Sequence, residues 1–239
     1  MEKRLRIFAG PNGSGKSTLV QRIKEKENVP LYTVLNADEL FATIKATGKY
    51  THSAPIEKFQ LVEFAANTTY PDAVKDVFAS NCIRIEGCEM YFDVEARTNR
   101  AAAVLTEFLK EDLLRRGKSF TFETVFSHPS KIDFIRRARE CGYRTYLYFV
   151  ATRSPEINIS RVRGRVEKGG HDVPEDKIVS RYHKSLHNVK GAMPFLTRGY
   201  FFDNSWEEMT WVLEYNEEDK SLSAYTETPE WLCRLFLED

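Results

Sequence analysis

This chain predicts an α/β fold built on a parallel sheet, on three observations. Short apolar runs alternate with stretches of helical spacing from the first residues onward. The first run, Leu5-Arg6-Ile7-Phe8-Ala9, leads straight into a glycine-rich turn at Gly10 to Ser17 and then into an amphipathic stretch. Five strand-like runs recur along 239 residues, a length that suits one elaborated domain with an insertion.

Taken in order, residues 5–9 are the first strand, and the helix after the turn carries Leu19, Val20 and Ile23 on one side. A second strand is expected at 31–35, ending in Asn36-Ala37-Asp38. Helical segments follow with Leu40, Phe41 and Ile44, then from Pro55 to about Tyr70, then from Pro71 with Val74, Val77 and Phe78. The runs 82–85 and 89–94, around Glu86-Gly87-Cys88, read as a β-hairpin set into the fold. A long helix from about Glu95 to Arg116 repeats Ala101, Val104, Leu105 and Phe108 at helical spacing and closes at Gly117. Residues 119–124 are the third strand and 145–150 the fourth, with a helix through Ile132, Ile135 and Ala138 between them, closed by Gly142. Ser154 caps and Pro155 opens a helix that runs into an arginine-rich stretch, and Pro174 opens another. Residues 199–203 are the fifth strand, followed by a terminal hairpin (210–215 and 221–225) and a short helix from Pro229.

The expected architecture is therefore three-layered: a five-stranded parallel sheet in the order 2-3-1-4-5, flanked by helices, with an inserted helical and hairpin subdomain at 46–94. Residues 1–205 form the main domain, 161–181 a lid-like basic segment, and 206–239 a C-terminal extension.

Thirty-five basic residues balance thirty-five acidic ones, which argues against a protein that coats nucleic acid or an anionic membrane. No apolar run approaches the roughly 18 residues of a membrane span, so a cytoplasmic protein is expected. Cys82, Cys88, Cys141 and Cys233 form no C-x-x-C pair, which suggests neither a disulfide framework nor a zinc site. The neutral total hides an asymmetry. From Asp203 onward there are eleven acids against two bases, whereas 161–190 holds eight bases against four acids, a segment suited to a multiply charged anion.

Gly10-Pro11-Asn12-Gly13-Ser14-Gly15-Lys16-Ser17 fits G-x-x-x-x-G-K-[ST] between a predicted strand and a predicted helix, the setting of a phosphate-binding P-loop. Glycines let backbone N–H groups crowd around phosphates, and the helix N-terminus, from Lys16 through Thr18, adds its positive end. Lys16 would reach the β- and γ-phosphates of ATP, and the Ser17 hydroxyl would be a ligand of magnesium. Asp38, just past the second strand, is placed to take the proton of an attacking hydroxyl, with helix capping as the competing role for Asn36 or Asp38. Glu123 ends an apolar β run, where an acid is costly unless it serves a metal, a substrate or an arginine. Arg161 and Arg165, four apart, share a helix face while Arg163 points elsewhere. Arg181 lies beside an apolar stripe and is expected to turn toward the same anion. Gly169-Gly170 would let the segment close, and His171 reads as a loop or packing residue.

These stretches resemble the zeta toxin family of P-loop kinases: IFAGPNGSGKSTL at 7–19, LNADEL at 35–40, SFTFETVFS at 119–127, and the segment from Arg161 to Leu186 containing GGHDVPEDKIVSRYHKSL. The resemblance implies Lys16 on phosphate, Asp38 as catalytic base, Glu123 in the substrate site, and Arg161, Arg165 and Arg181 on phosphates. It also implies the family's best-known activity, phosphorylation of the 3'-hydroxyl of the amino sugar in UDP-N-acetylglucosamine by ATP with magnesium. Toxins of the family carry threonine and arginine where this chain has Val125 and Ser127, and the 46–94 insertion is unlike theirs, which weakens the sugar-nucleotide assignment and speaks against an antitoxin partner.

The expected function is an ATP-dependent kinase acting on a small-molecule hydroxyl. Two other readings stay open: a P-loop ATPase or nucleotide switch without an acceptor, and an RNA or polynucleotide kinase, which the neutral charge disfavours.

Overall fold

The computed structural model describes residues 2–26, 29–170 and 172–237. The chain divides into two compact units, one formed by residues 1–34 and 117–239 and the other by 35–116.

In the first unit the strands are β1 (Lys3–Ala9), β2 (Thr33–Leu35, whose last residue falls in the other unit), β6 (Phe120–Thr124), β7 (Tyr143–Ala151), β8 (Arg198–Asp203), β9 (Thr210–Asn216) and β10 (Ser221–Ala224). They form one sheet in the order β10-β9-β8-β7-β1-β6-β2. The five expected strands stand in the expected order 2-3-1-4-5, and β6, β1, β7 and β8 pair in parallel. The sheet has seven strands rather than five. The terminal hairpin pairs antiparallel with β8, from Arg198 opposite Asn216 to Asp203 opposite Thr210, and so prolongs the main sheet.

Strand alternation divides the core between two faces. On one, Phe8, Tyr148 and Val150 pack with Leu19, Val20 and Ile23 of α1 (Lys16–Lys26). On the other, Phe120 and Phe122 meet Phe134 of α6 (Ser130–Glu140) edge-on. Phe149 and Phe201 meet Trp231 and Phe236 of α9 (Glu230–Leu237). Between α6 and α9 lies α8 (Glu175–Ala192), which follows α7 (Pro155–Glu167) in the chain. A small cluster of Val162, Val173 and Ile178 ties the loop between α7 and α8 to both helices.

The second unit holds α2 (Ala37–Thr47), β3 (Lys49–Thr51), α3 (Lys58–Ala66), α4 (Asp72–Ala79), β4 (Ile83–Glu86), β5 (Glu89–Phe92) and α5 (Asn99–Arg115). The expected hairpin is β4–β5. Glu86 pairs with Glu89 around Gly87-Cys88, and Gly87 takes φ of 62°, as such a two-residue turn demands. β3 adds a third strand on the other side of β5. The buried stripe of α5 includes Val104, Leu105, Phe108 and Leu109, and Phe64 of α3 sits edge-on to Phe108. Pro71 and Pro174 stand one residue before α4 and α8, as caps rather than first helical residues. No helix among the described residues is long and apolar enough to cross a membrane.

Candidate active site

The P-loop follows β1, which lies between β7 and β6 inside the sheet, and its glycines are there for space as well as for backbone angle. Gly10, Gly13 and Gly15 have φ of 149°, 74° and 104°. A Cβ at Gly10 would lie 2.1 Å from the Val150 carbonyl oxygen, and one at Gly15 would lie 2.4 Å from the Asn204 amide nitrogen. Such contacts are forbidden to any larger residue. Lys16 Nζ donates to the carbonyls of Gly10 and Pro11, both at 2.9 Å, so its ammonium closes the loop from within.

Two side chains that sequence reasoning missed, Asn204 and Asn158, hold this loop from outside, and Tyr182 braces the second of them through Thr152. Asn204, just past β8, donates from Nδ2 to the Ser14 carbonyl at 2.7 Å. Asn158 on α7, fully buried, donates to the Asn12 carbonyl and accepts from the Thr152 hydroxyl. The Tyr182 hydroxyl donates to the Thr152 carbonyl at 2.6 Å, and burial pushes its pKa up to about 12, so it stays a donor. Asn204 could have been suspected from its place at a strand's carboxyl end. Asn158 carries no local signal, because its partners lie on distant segments.

Ser17 and Glu123 come together: the Ser17 hydroxyl donates to Glu123 Oε2 at 2.8 Å. Parallel pairing of β1 with β6 places Phe8 opposite Glu123 and Ala9 opposite Thr124, which brings the end of β6 beside the P-loop. The other Glu123 oxygen, Oε1, is buried without a hydrogen-bond partner. An orphan carboxylate oxygen beside a serine hydroxyl is the donor chemistry of a hard divalent cation. Among the described residues no three His, Cys, Asp or Glu side chains gather as a metal cluster.

Arg161 and Arg165 line the same cavity, of about 350 Å³, as Gly13, Gly15, Lys16, Ser17 and Thr18. Arg161 Nη2 donates to the Trp206 carbonyl at 3.4 Å while its Nη1 is buried and unpartnered. Arg181 donates to the Asn12 side-chain oxygen at 3.3 Å, as its expected inward turn requires. Arg163 turns away to pair with Glu175, its Nε at 2.9 Å. The glycine pair ends α7: Gly169 takes φ of 84°, with Gly169 N–H on the Val166 carbonyl and Gly170 N–H on that of Arg165. His171 lies outside the described residues.

Asp38 belongs to the other unit, in the first turn of α2. Asn36 is the cap there, its Oδ1 accepting from the backbone N–H of Asp38 at 2.9 Å and of Glu39 at 3.4 Å. Asp38 is therefore released from capping, and its side chain is exposed.

Solved structures share this fold at low identity. The AvrRxo1-ORF1:AvrRxo1-ORF2 complex with ATP matches with a TM-score of 0.57 and 14% identity, covering 94% of this chain and 61% of that one. The PezAT chromosomal toxin–antitoxin system of Streptococcus pneumoniae matches with a TM-score of 0.52 and 13% identity, covering 100% and 80%. An uncharacterized protein of Haemophilus influenzae is 35% identical over 69 residues, 29% of this chain and 49% of that protein, so the match spans about half of the relative. The chain has an α/β fold with a mostly parallel sheet and a P-loop, and its residues 5–183, which carry the P-loop, Glu123, Arg161, Arg165 and Arg181, match the AAA domain family, to which it belongs.

Proposed function

We propose that this protein is an ATP-dependent phosphotransferase that moves the γ-phosphate to the hydroxyl of a small molecule. One observation carries the reading: Lys16, Ser17, Thr18, Arg161 and Arg165 converge on a single cavity, and Glu123 is hydrogen-bonded to Ser17 at its edge. Fixed cations around a phosphate-sized space, with an oxygen pair for a metal, are what phosphoryl transfer asks of a protein.

The backbone N–H groups of 13–18 and the Lys16 ammonium hold the triphosphate. Magnesium, bound by Ser17 and Glu123 along with phosphate oxygens, would neutralise charge on the β- and γ-phosphates. Arg161, with one guanidinium nitrogen still unpartnered, and Arg165 meet the charge that grows on the transferred group. Asp38 accepts the proton of the acceptor hydroxyl as its oxygen bonds to the γ-phosphorus. The bond from that phosphorus to the bridging oxygen breaks, and ADP leaves with the electron pair. Trp206, 64% exposed and with its ring stacked on Arg153 at 4.3 Å, follows Asn204 by two residues and offers a flat surface for the base. Resemblance to the zeta toxins makes UDP-N-acetylglucosamine the first acceptor to try.

The test is ATP turnover with magnesium, with and without that sugar nucleotide, followed by mass spectrometry for wild type, Lys16→Ala and Asp38→Ala. A phosphorylated product absent in both variants is expected. ATP consumption that ignores every acceptor and survives Asp38→Ala would make the protein an ATPase instead.

A further inference from the structure

A second cavity, of about 610 Å³, opens between α8 and α9 on the face of the sheet opposite α1. Its floor is apolar and partly aromatic, formed by Tyr182, Leu186, Trp231 and Leu235. Around that floor stand Arg153, His183, His187, Lys190 and Arg234. His183, Leu186, His187 and Lys190 recur at the spacing of one helical stripe, so α8 presents a basic rim and an apolar wall together. Glu230, ion-paired with Arg234, is the only acid among the described lining residues. In a chain of zero formal charge, a basic rim over an aromatic floor is a local concentration of positive charge. The volume falls in the range of small-ligand sites, about 300–1,000 Å³. Cations at the rim with rings beneath suit an organic anion that has a planar apolar body.

Both walls of this cavity are hydrogen-bonded into the loops that hold the P-loop. From α8, the Tyr182 hydroxyl binds the Thr152 carbonyl, Thr152 binds Asn158, and Asn158 binds the Asn12 carbonyl. From α9, Trp231 Nε1 donates to Asp203 Oδ1 at 2.9 Å, and the Ser205 hydroxyl shares that oxygen at 2.7 Å. Between Asp203 and Ser205 sits Asn204, which holds Ser14. A ligand that repositions Tyr182 or Trp231 acts on Asn158 or Asn204, which cradle the phosphate loop.

We infer that this cavity is a regulatory site for a small aromatic anion, of the class of aryl or nucleoside monophosphates, whose binding changes the affinity of the P-loop for ATP. This goes beyond the proposed kinase activity, and occupancy can be read without it. In the full chain carrying Trp206→Phe and Trp211→Phe, Trp231 is the remaining tryptophan of three. Its emission is titrated with 4-nitrophenyl phosphate, whose nitro ring quenches indole on contact. Saturable quenching is expected, weakened at least about tenfold by His187→Glu and by Arg234→Glu and kept in Lys16→Ala. Both reversals are at exposed positions, and an unchanged melting midpoint certifies the fold. Quenching that fails to saturate, that ignores both reversals, or that disappears in Lys16→Ala overturns the site. So does binding of a polyglutamate peptide in place of the aryl phosphate, which would assign the groove to an acidic protein segment. ATP affinity, measured in the wild-type chain with Trp206 intact and the aryl phosphate at saturation, should shift by about fivefold or more, with the same factor seen reciprocally. Unchanged ATP affinity overturns the regulatory role. Absence of any ATP binding would instead sink the kinase reading, and the quenching result would still decide the site.

Discussion

Glu123 shows how much a single oxygen can say. One carboxylate oxygen accepts a hydrogen bond from the Ser17 hydroxyl and the other is buried with nothing to accept, a state that costs folding free energy and therefore points to an occupant. Glu123→Gln should lower magnesium-dependent turnover on the order of 10²-fold, as removal of one preorganised electrostatic group does. ATP binding without metal should stay within about twofold, since the shape is kept. Equal loss of both would assign Glu123 to the architecture of the loop. Glu123 could be singled out because an acid ends an apolar β run, and Ser17 because the P-loop motif is contiguous. Asn158 was not legible and Asn204 only by its place past a strand's carboxyl end: they act on Asn12 and Ser14 across 146 and 190 positions, a separation that local pattern does not encode.

At the level of elements, α2 and α5 each make a measurable claim. Asn36 closes the start of α2 and frees Asp38, so Asn36→Ala should cost about 1 kcal/mol of stability. It should also depress kcat more than the KM for ATP, because the turn that frays carries the proposed base. Asn36→Asp, which can still cap, should restore both, and an unaltered kcat in the alanine variant would remove Asp38 from the chemistry. On α5, buried Asp112 accepts from Arg115 and Arg116 at 2.6 Å and meets His52 Nε2 at 3.2 Å. Burial holds the His52 imidazole below its usual range, with Asp112 pulling the other way. Asp112, although burial opposes it, is held below the usual carboxylate range by Arg116 and Arg115. Both groups bind protons less readily in the fold than in the open chain, so the stability they confer is lost as pH falls. His52 should contribute first, below its ordinary value near 6.5, and Asp112 only below about 3.9. Protection of the α5 amides, measured as the ratio of intrinsic to observed exchange at each pH, should fall between pH 7.5 and 5, with a flatter profile in His52→Gln; identical slopes would mean that His52 is not the titrating group. The pairing of Gly87-Cys88 in its turn and the long stripe of α5 could be read from sequence. The three-residue strand β3 could not, since three residues show no period.

Across the whole molecule, the expected strand order held because each crossover was signalled by a helix of adequate length between apolar runs. The sheet's width was not foreseen, since a terminal hairpin reads the same in sequence whether it stands apart or extends a sheet edge. In the fold, β9 covers the edge of β8, and α9 sets Trp231 and Phe236 against Phe149 and Phe201, both fully buried. A chain ending at residue 205 should expose those rings together with the open edge, and so be recovered as aggregate rather than as monomer by size-exclusion chromatography. A soluble, cooperatively melting product of that length would show that the hairpin and α9 are dispensable. The position of β1 has a consequence of another kind. It stands in the interior of the sheet, yet its neighbours β6 and β7 begin more than a hundred residues later. On a ribosome adding about 5–20 residues per second, Leu5, Ile7 and Phe8 wait several seconds or more for the strands that bury them. Residues 35–116 emerge during that wait, and their contacts are largely with one another. The inserted unit is thus able to fold before the sheet around it is complete. The nucleotide cradle, written ahead of that unit, is completed only after it.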